Sequence, residues 1–429
     1  MRWIAENPPG HGTGWEPYPA SLRIANWIKA FLGGMPAPQA WLDSLAAQVR
    51  WLGGRIEWHL LGNHLFVNAK ALVLAGLFFD GPEADAWRAR GLAILRREMP
   101  EQLLADGGQF ERSPMYHALA LEDLLDLLNV AGAVACGEAL IADIGPDCRR
   151  GAAAAWRWLR CMSHPDGALA SFNDSADGIA PASAELERCA TALGVAAPPL
   201  LGAFEHLPAS GYVRLQRGRA TLIADVAPLG PDYLMGHAHA DTLSFELSLG
   251  ERRLLVNGGT SRYGLGEQRL RERGTASHNT VQLAGRDSSE VWSGFRVGRR
   301  ARPFDLQVGA ESIACSHDGY RFLPGRPLHR RQWALQRGRL EVEDRVSAPG
   351  VPGVARFRIA PGLRLQAEHD GAWRVVEGTH TLARVELLAG DGHVAASSHA
   401  PRFGTVLPTE TLEVKLREGH AHTIWTWDD

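Results

Sequence analysis

Two imidazoles and a carboxylate fall within five residues in the stretch Gly236-His237-Ala238-His239-Ala240-Asp241. Imidazoles change charge near neutral pH and serve as general bases, general acids or metal ligands. Such a cluster is costly to bury unless its members are paired, hold a metal or act on a ligand. Three other segments gather polar groups in the same way. One is Gly62-Asn63-His64, and another runs from Asp106 through Gly107-Gly108-Gln109-Phe110-Glu111-Arg112-Ser113-Pro114-Met115 to Tyr116-His117. The last runs from Arg271 through Arg273-Gly274-Thr275-Ala276-Ser277 to His278-Asn279-Thr280-Val281. Singly, each has a quiet explanation: Asn63 as a helix cap, Tyr116 as a core tyrosine with a satisfied hydroxyl, His278 as a loop histidine.

The elements that must position these groups differ between the two halves of the chain. From Thr242 the sequence alternates polar and apolar, the period of a half-buried strand, with Leu243, Phe245, Leu247 and Leu249 on one face. Extended backwards, that face would carry His237, His239 and Asp241. The first half reads instead as helices joined by Gly- and Pro-bearing turns. Helices are expected from Ser21 as a cap to Leu32, from Pro38 to about Leu52, over Ile56–Leu61 and His64–Phe79, and over Glu83–Leu104. Pro114–Val134, Cys148–Met162 and Ala184–Leu193 follow. Short turns between helices give antiparallel neighbours. Nine of the 14 Trp residues lie before residue 160, which marks most of them as helical core and leaves a few to line a cleft. Beyond Pro208 come short runs such as Ala220–Val226, Arg253–Val256, Leu340–Val346 and Thr423–Thr426, with no convincing long helix. A helical domain over 1–205 and an antiparallel β-sandwich over 206–429 are expected, with a linker within Gly202–Ser210.

Bulk properties narrow the function classes. A net charge of -3 argues against a general nucleic-acid binder. Five cysteines, odd in number and without CxxC spacing, indicate neither a disulfide framework nor a zinc-thiolate site. No apolar run reaches membrane-span length, and Met1 to Gly14 shows no signal-peptide core.

Taken together, LGNHLFVNAKAL, DGGQFERSPMYH, SHPDGALASFNDSADG, GHAHADTLSFEL and RGTASHNTV, in that order, resemble the heparinase II/III family of polysaccharide lyases, which includes heparan sulfate and alginate lyases. The resemblance spans roughly Trp15 to Val297. It implies an incomplete α/α toroid followed by an antiparallel β-sandwich, with the toroid shortened at its start. It also implies β-elimination at a uronic acid of an acidic polysaccharide. There Asn63 stands at the position that neutralises the substrate carboxylate, Tyr116 at the acid/base and His237 at the catalytic histidine. His64, Glu111, Arg271 and Arg273 are expected to contact substrate. No cofactor is required. Some members hold a structural zinc, and the matching positions here are His239, Asn257 and His278. Asn257 stands where an Asp is typical, and a neutral amide is a poorer ligand than a carboxylate. The family is commonly periplasmic or secreted.

Rival readings remain open at this point. An α/α-toroid glycoside hydrolase would need two facing carboxylates, for which Glu111 and Asp174 are candidates. HAHAD is also similar to a di-metal hydrolase signature but lacks its final His. A glycan-binding protein without catalysis would keep the fold alone.

Overall fold

The structure, a computed structural model, describes residues 2–429. Helices dominate up to residue 192 and antiparallel strands follow from Phe204, the order expected for a toroid followed by a sandwich. The chain forms two compact units that are not contiguous in sequence. The first takes in the chain up to Gly107, Leu119–Trp156 and Glu185–Pro198. The second comprises Gly108–Ala118, Arg157–Ala184 and Pro199–Asp429. Among the described residues, no helix is long and apolar enough to cross a membrane.

In the first unit the helix Gly62–Phe78 is buried along nearly its whole length, from Leu65 to Leu77. Its neighbour Pro82–Gln102 approaches closely because glycines face the contact. A Cβ on Gly76 would lie 2.5 Å from Arg88 Cβ, and one on Gly91 would lie 2.6 Å from the Ala69 carbonyl oxygen. Two expectations fail here. Ser21 does not cap its helix, which starts at Pro17, the favoured first position for proline. Ser21 is buried one turn in and donates from Oγ to the Pro17 carbonyl at 2.8 Å. Ile56–Leu61 is a turn, not a helix, and it leaves Trp58 44% exposed while Trp156 is in the core.

In the second unit a five-stranded meander runs from Phe204–Leu207 to Arg252–Leu255. Next comes an eight-stranded sheet with the order Arg364–His369, Ala372–Glu377, His380–Ala389, His420–Thr426, Arg339–Val346, His329–Gln336, Ser312–His317, Pro303–Val308. A four-stranded sheet joins Asp391–Arg402, Thr405–Lys415, Gly353–Arg358 and Val281–Leu283. Their inner faces share one apolar core that includes Leu243, Phe245, Trp333, Phe357 and Trp425. The strand expected from Leu243 begins only at Phe245. Leu243 has φ 62, which breaks the extended backbone. His237, His239 and Asp241 therefore do not continue the strand's core face; they lie on a loop.

Candidate active site

Three loops of the second unit meet at Asn173 and Asp174. Asn173 Nδ2 donates to the Arg112 carbonyl at 3.1 Å, and its backbone N–H donates to Asp241 Oδ2 at 3.2 Å. Its Oδ1 accepts from the His239 N–H at 3.0 Å. Asp174 N–H donates to the His237 carbonyl at 3.0 Å. Arg112, Asn173 and Leu243 all have positive φ, at 61, 55 and 62°. Conformations of this kind cost roughly 1–3 kcal/mol each and persist where the surroundings over-determine them.

Tyr116 stands in the first turn of the helix Pro114–Ala133, which follows the first of these loops. Gly108 makes the loop's close turn possible, since a Cβ there would lie 2.6 Å from Trp158 Nε1. Ser113 then caps the helix Pro114–Ala133, its Oγ accepting from the Tyr116 N–H at 3.2 Å. The same Oγ donates to the Asp174 carbonyl at 2.5 Å, which ties the helix start to the second loop.

Asp174 is the electrostatic centre. Arg269 Nη2 bonds its Oδ2 at 2.7 Å, and Arg269 Nη1 bonds Oδ1, a buried bidentate pair. His237 Nδ1 lies 3.0 Å from Oδ2 and His239 Nε2 lies 2.9 Å from Oδ1. Burial opposes ionisation, but the bonds from His237 and His239 and the Arg269 charge outweigh it and hold Asp174 well below the usual carboxylate range. An ionised carboxylate only accepts, so His237 Nδ1 and His239 Nε2 carry the protons. Burial lowers His239 to about 4, which makes it neutral, and its Nδ1 accepts from His278 Nε2 at 3.3 Å. Burial also raises Asp241 to about 7.

His237 is the half-buried end of this cluster, its side chain 12% exposed. Its ring stacks on Tyr116 with centroids 3.8 Å apart, and Nε2 faces Glu111 Oε2 at 3.6 Å. Tyr116 and Tyr263 share a hydroxyl hydrogen bond of 3.0 Å. Tyr263, Phe295 and Phe403 continue an aromatic wall, with ring centroids 5.3 and 4.8 Å apart. Beside Tyr263 is a cavity of about 570 Å³ lined by Arg262, Gln268 and Val406 among others.

The remaining candidates are distributed as follows. Glu111 is buried and held by Gln109 at 3.2 Å. Arg273 is buried and gives its guanidinium to the carbonyls of Ala238, Trp292, Ser293 and Arg296, so its charge serves the loop framework. Arg271 is exposed and lines a separate cavity of about 430 Å³ with Arg356 and Arg358. Asn63 and His64 belong to the first unit, at the start of the helix that follows Leu61, whose φ is 58. His64 Nδ1 bonds Glu57 Oε1 at 3.1 Å and its ring packs on Tyr18 at 4.6 Å.

The three zinc candidates, His239, Asn257 and His278, fit that metal poorly. His239 and His278 offer facing nitrogens, but Asn257 Oδ1 already accepts from the Asn279 N–H at 3.0 Å and brings no charge. Asp241 is engaged with Asn173. Two neutral nitrogens and a shared amide oxygen fall short of the ligand sets that hold zinc tightly.

The residues that the sequence reading passed over are Arg269, Tyr263 and Asn173. For Arg269 a signal was available: in a helix, positions four apart share a face. The helix Glu267–Arg273 buries Arg269 and Arg273 and leaves Arg271 outside.

Family models match along the chain: the heparinase II/III N-terminus over residues 1–190, and the heparinase II/III-like C-terminal region over residues 199–428. The chain belongs to the heparinase II/III family. A heparin-sulfate lyase of Bacteroides stercoris is 35% identical over 125 residues, 27% of this chain and 18% of that protein. The FtsZ-localized protein C of Caulobacter vibrioides is 28% identical over 360 residues, 77% of this chain and 59% of that protein. The chain thus spans less than two thirds of the length of these relatives. Among solved structures, heparinase III superposes with a TM-score of 0.79 at 18% identity, covering 99% of this chain and 71% of that one. A heparan sulfate lyase mutant from Pedobacter heparinus gives 0.72 at 19%, covering 100% and 71%. These superpositions establish the heparinase II/III fold, toroid and sandwich.

Proposed function

We propose that this chain is a polysaccharide lyase that cleaves a uronate-containing polymer by β-elimination. One observation carries the reading: a phenol, Tyr116, stacked 3.8 Å from an imidazole, His237, whose Nδ1 is held by a buried carboxylate–guanidinium pair. The C5 proton of a uronate is weakly acidic until its carboxylate is neutralised, the role assigned to Asn63 by its motif. A base then takes the proton, the C4–O bond breaks, a C4–C5 double bond forms, and an acid protonates the departing oxygen. Tyr116 serves as that acid/base. Its hydrogen bond to Tyr263, itself packed 5.0 Å from the Arg269 guanidinium, steadies the phenolic oxygen as charge develops. His237, with its Nδ1 proton fixed on Asp174 and Nε2 turned to Glu111, lays its ring face against Tyr116 at the reacting region. The aromatic wall suits sugar rings.

The hydrolase alternative is weakened by the same geometry. The His237 ring lies between Glu111 and Asp174, within 3.6 and 3.0 Å of them, where a hydrolase would seat its substrate. A second reading, binding without cleavage, is favoured by the relative matched over 77% of the chain, which is named for FtsZ localisation and not for an activity. The periplasmic or secreted setting that the family implies belongs to either reading.

The decisive test is a panel of uronate polysaccharides followed by ultraviolet absorbance of the unsaturated product. Turnover is expected, and Tyr116→Phe should lower it by roughly two to four decades with the fold intact. Polymer binding with no absorbing product would select the second reading. Undiminished turnover in a folded Tyr116→Phe protein would remove Tyr116 from the mechanism.

A further inference from the structure

Strands Arg339–Val346 and His420–Thr426 are neighbours inside the eight-stranded sheet. Their burial alternates: Leu340, Val342 and Asp344 face the core with Ala421, Thr423 and Trp425, while Glu341, Glu343, His420 and His422 face the other way. The register sets Glu343 opposite His422. Two imidazoles and two carboxylates therefore share one half-buried patch. His420 Nε2 lies 2.9 Å from Glu343 Oε1, and His422 Nε2 lies 2.6 Å from Glu341 Oε1. One ligand atom each from Glu343, His420 and His422 fall within 4.8 Å of one another.

We propose that this patch is a zinc site, with His420, His422 and Glu343 as ligands and Glu341 as the fourth. The donor set is the imidazole and carboxylate mixture that zinc takes, and two carboxylates cancel the charge of a divalent ion. Zinc holds such atoms at about 2.0–2.2 Å, which separates tetrahedral ligands by about 3.3–3.6 Å. The Glu341 and His422 atoms, 2.6 Å apart, must part by up to about an ångström, and those of Glu343, His420 and His422, all within 4.8 Å of one another, must draw together by up to about 1.5 Å. Arg339 bonds Glu341 Oε2 at 3.0 Å and leaves Oε1 to His422, whereas Arg345 bonds Glu343 Oε1 at 2.5 Å, the oxygen that His420 also meets, and would release it. The site is on the sheet face opposite Asp344. It is also separate from His239 and His278, and it would staple His420–Thr426 to its neighbour.

The test uses the full chain, stripped with chelator and titrated with zinc chloride by calorimetry, with melting curves alongside. One zinc per chain is expected, with a rise in Tm, because a ligand that binds only the native state stabilises it. Binding should vanish in the His420→Ala/His422→Ala double variant and persist in His239→Ala. Glu343→Gln keeps the side-chain shape and should weaken binding more than about tenfold; it decides the matter if the double variant fails to fold. No zinc uptake by the unaltered protein, or uptake unchanged by these substitutions, would overturn the assignment.

Discussion

Two buried ionic clusters, one in each unit, use similar chemistry to different ends. In the helical unit Lys70 Nζ bonds Asp123 at 2.5 Å and Asp126 at 3.0 Å, and Lys29 bonds Asp126 at 2.9 Å. Burial works against the Lys70 charge, but the two carboxylates outweigh it and keep the ammonium protonated. In the second unit Asp174 and Arg269 make an equally buried pair, yet Asp174 also binds two imidazoles. The first cluster pins helices Pro17–Leu32, Gly62–Phe78 and Pro114–Ala133 and is made only of fixed charges. The second ends in His237, a half-buried imidazole stacked on a phenol. Buried charge by itself does not mark a site. What the second cluster adds is an imidazole at the boundary, oriented by a fixed pair behind it.

Asp174→Asn and Lys70→Met should test this contrast most severely. Each strands a buried charge, Arg269 in one case and Asp123 in the other, which costs roughly 3–5 kcal/mol of stability. Chemical denaturation should show similar losses, but only Asp174→Asn should also abolish turnover at a temperature where both variants are folded. Equal loss of turnover in Lys70→Met would break the distinction.

His237→Ala and His239→Ala refine the same line within the second unit. The first should lose roughly two decades or more of turnover with little change in Tm, because His237 is half-buried and water can replace its bond to Asp174 Oδ2. The second should lower Tm, because it leaves part of Asp174 unpaired. Matching behaviour of the two would mean that the imidazoles share one role.

The carboxylates around the hub give opposite pH slopes. Asp174 is depressed in the fold, so its stabilisation is complete above the unfolded value of about 3.9 and is lost as pH falls through the lower folded value. Asp241 is raised to about 7 by burial, so between about 3.9 and 7 the folded form binds more protons and stability falls as pH rises. Asp241→Asn should flatten that upper slope in denaturation curves taken from pH 4 to 8, and an unaltered slope would place its origin elsewhere.

The smallest expected effect is at Asn257. Asn257→Asp should add a carboxylate beside His239 and His278 and raise zinc stoichiometry by one, modestly increasing Tm. Elemental analysis showing no added metal would mean that the residue's orientation toward Asn279, not its charge, limits the position.

Much of this was legible in the chain. Helix limits followed from Pro114 and from Gly- and Pro-bearing turns, and the strands followed from alternation, because those signals are local. The site was legible as motifs but not as a geometry. Alternation through Thr242 put His237 and His239 on a strand face, whereas Leu243 turns left-handed and makes a loop. Asp174 drew notice only as one of two facing carboxylates, since nothing local shows that Arg269, 95 residues on, will neutralise it. Long-range pairing of this kind is set by the fold, not by spacing.

The order of the eight-stranded sheet bears on how the protein is made. His420–Thr426 inserts between Arg339–Val346 and His380–Ala389, strands synthesised well before it. On a ribosome adding about 5–20 residues per second, both neighbours wait several seconds with open edges. Exposed strand edges invite pairing with other chains. A nascent polypeptide stalled short of His420 would therefore present two sticky ladders, and chaperone demand should peak in that interval.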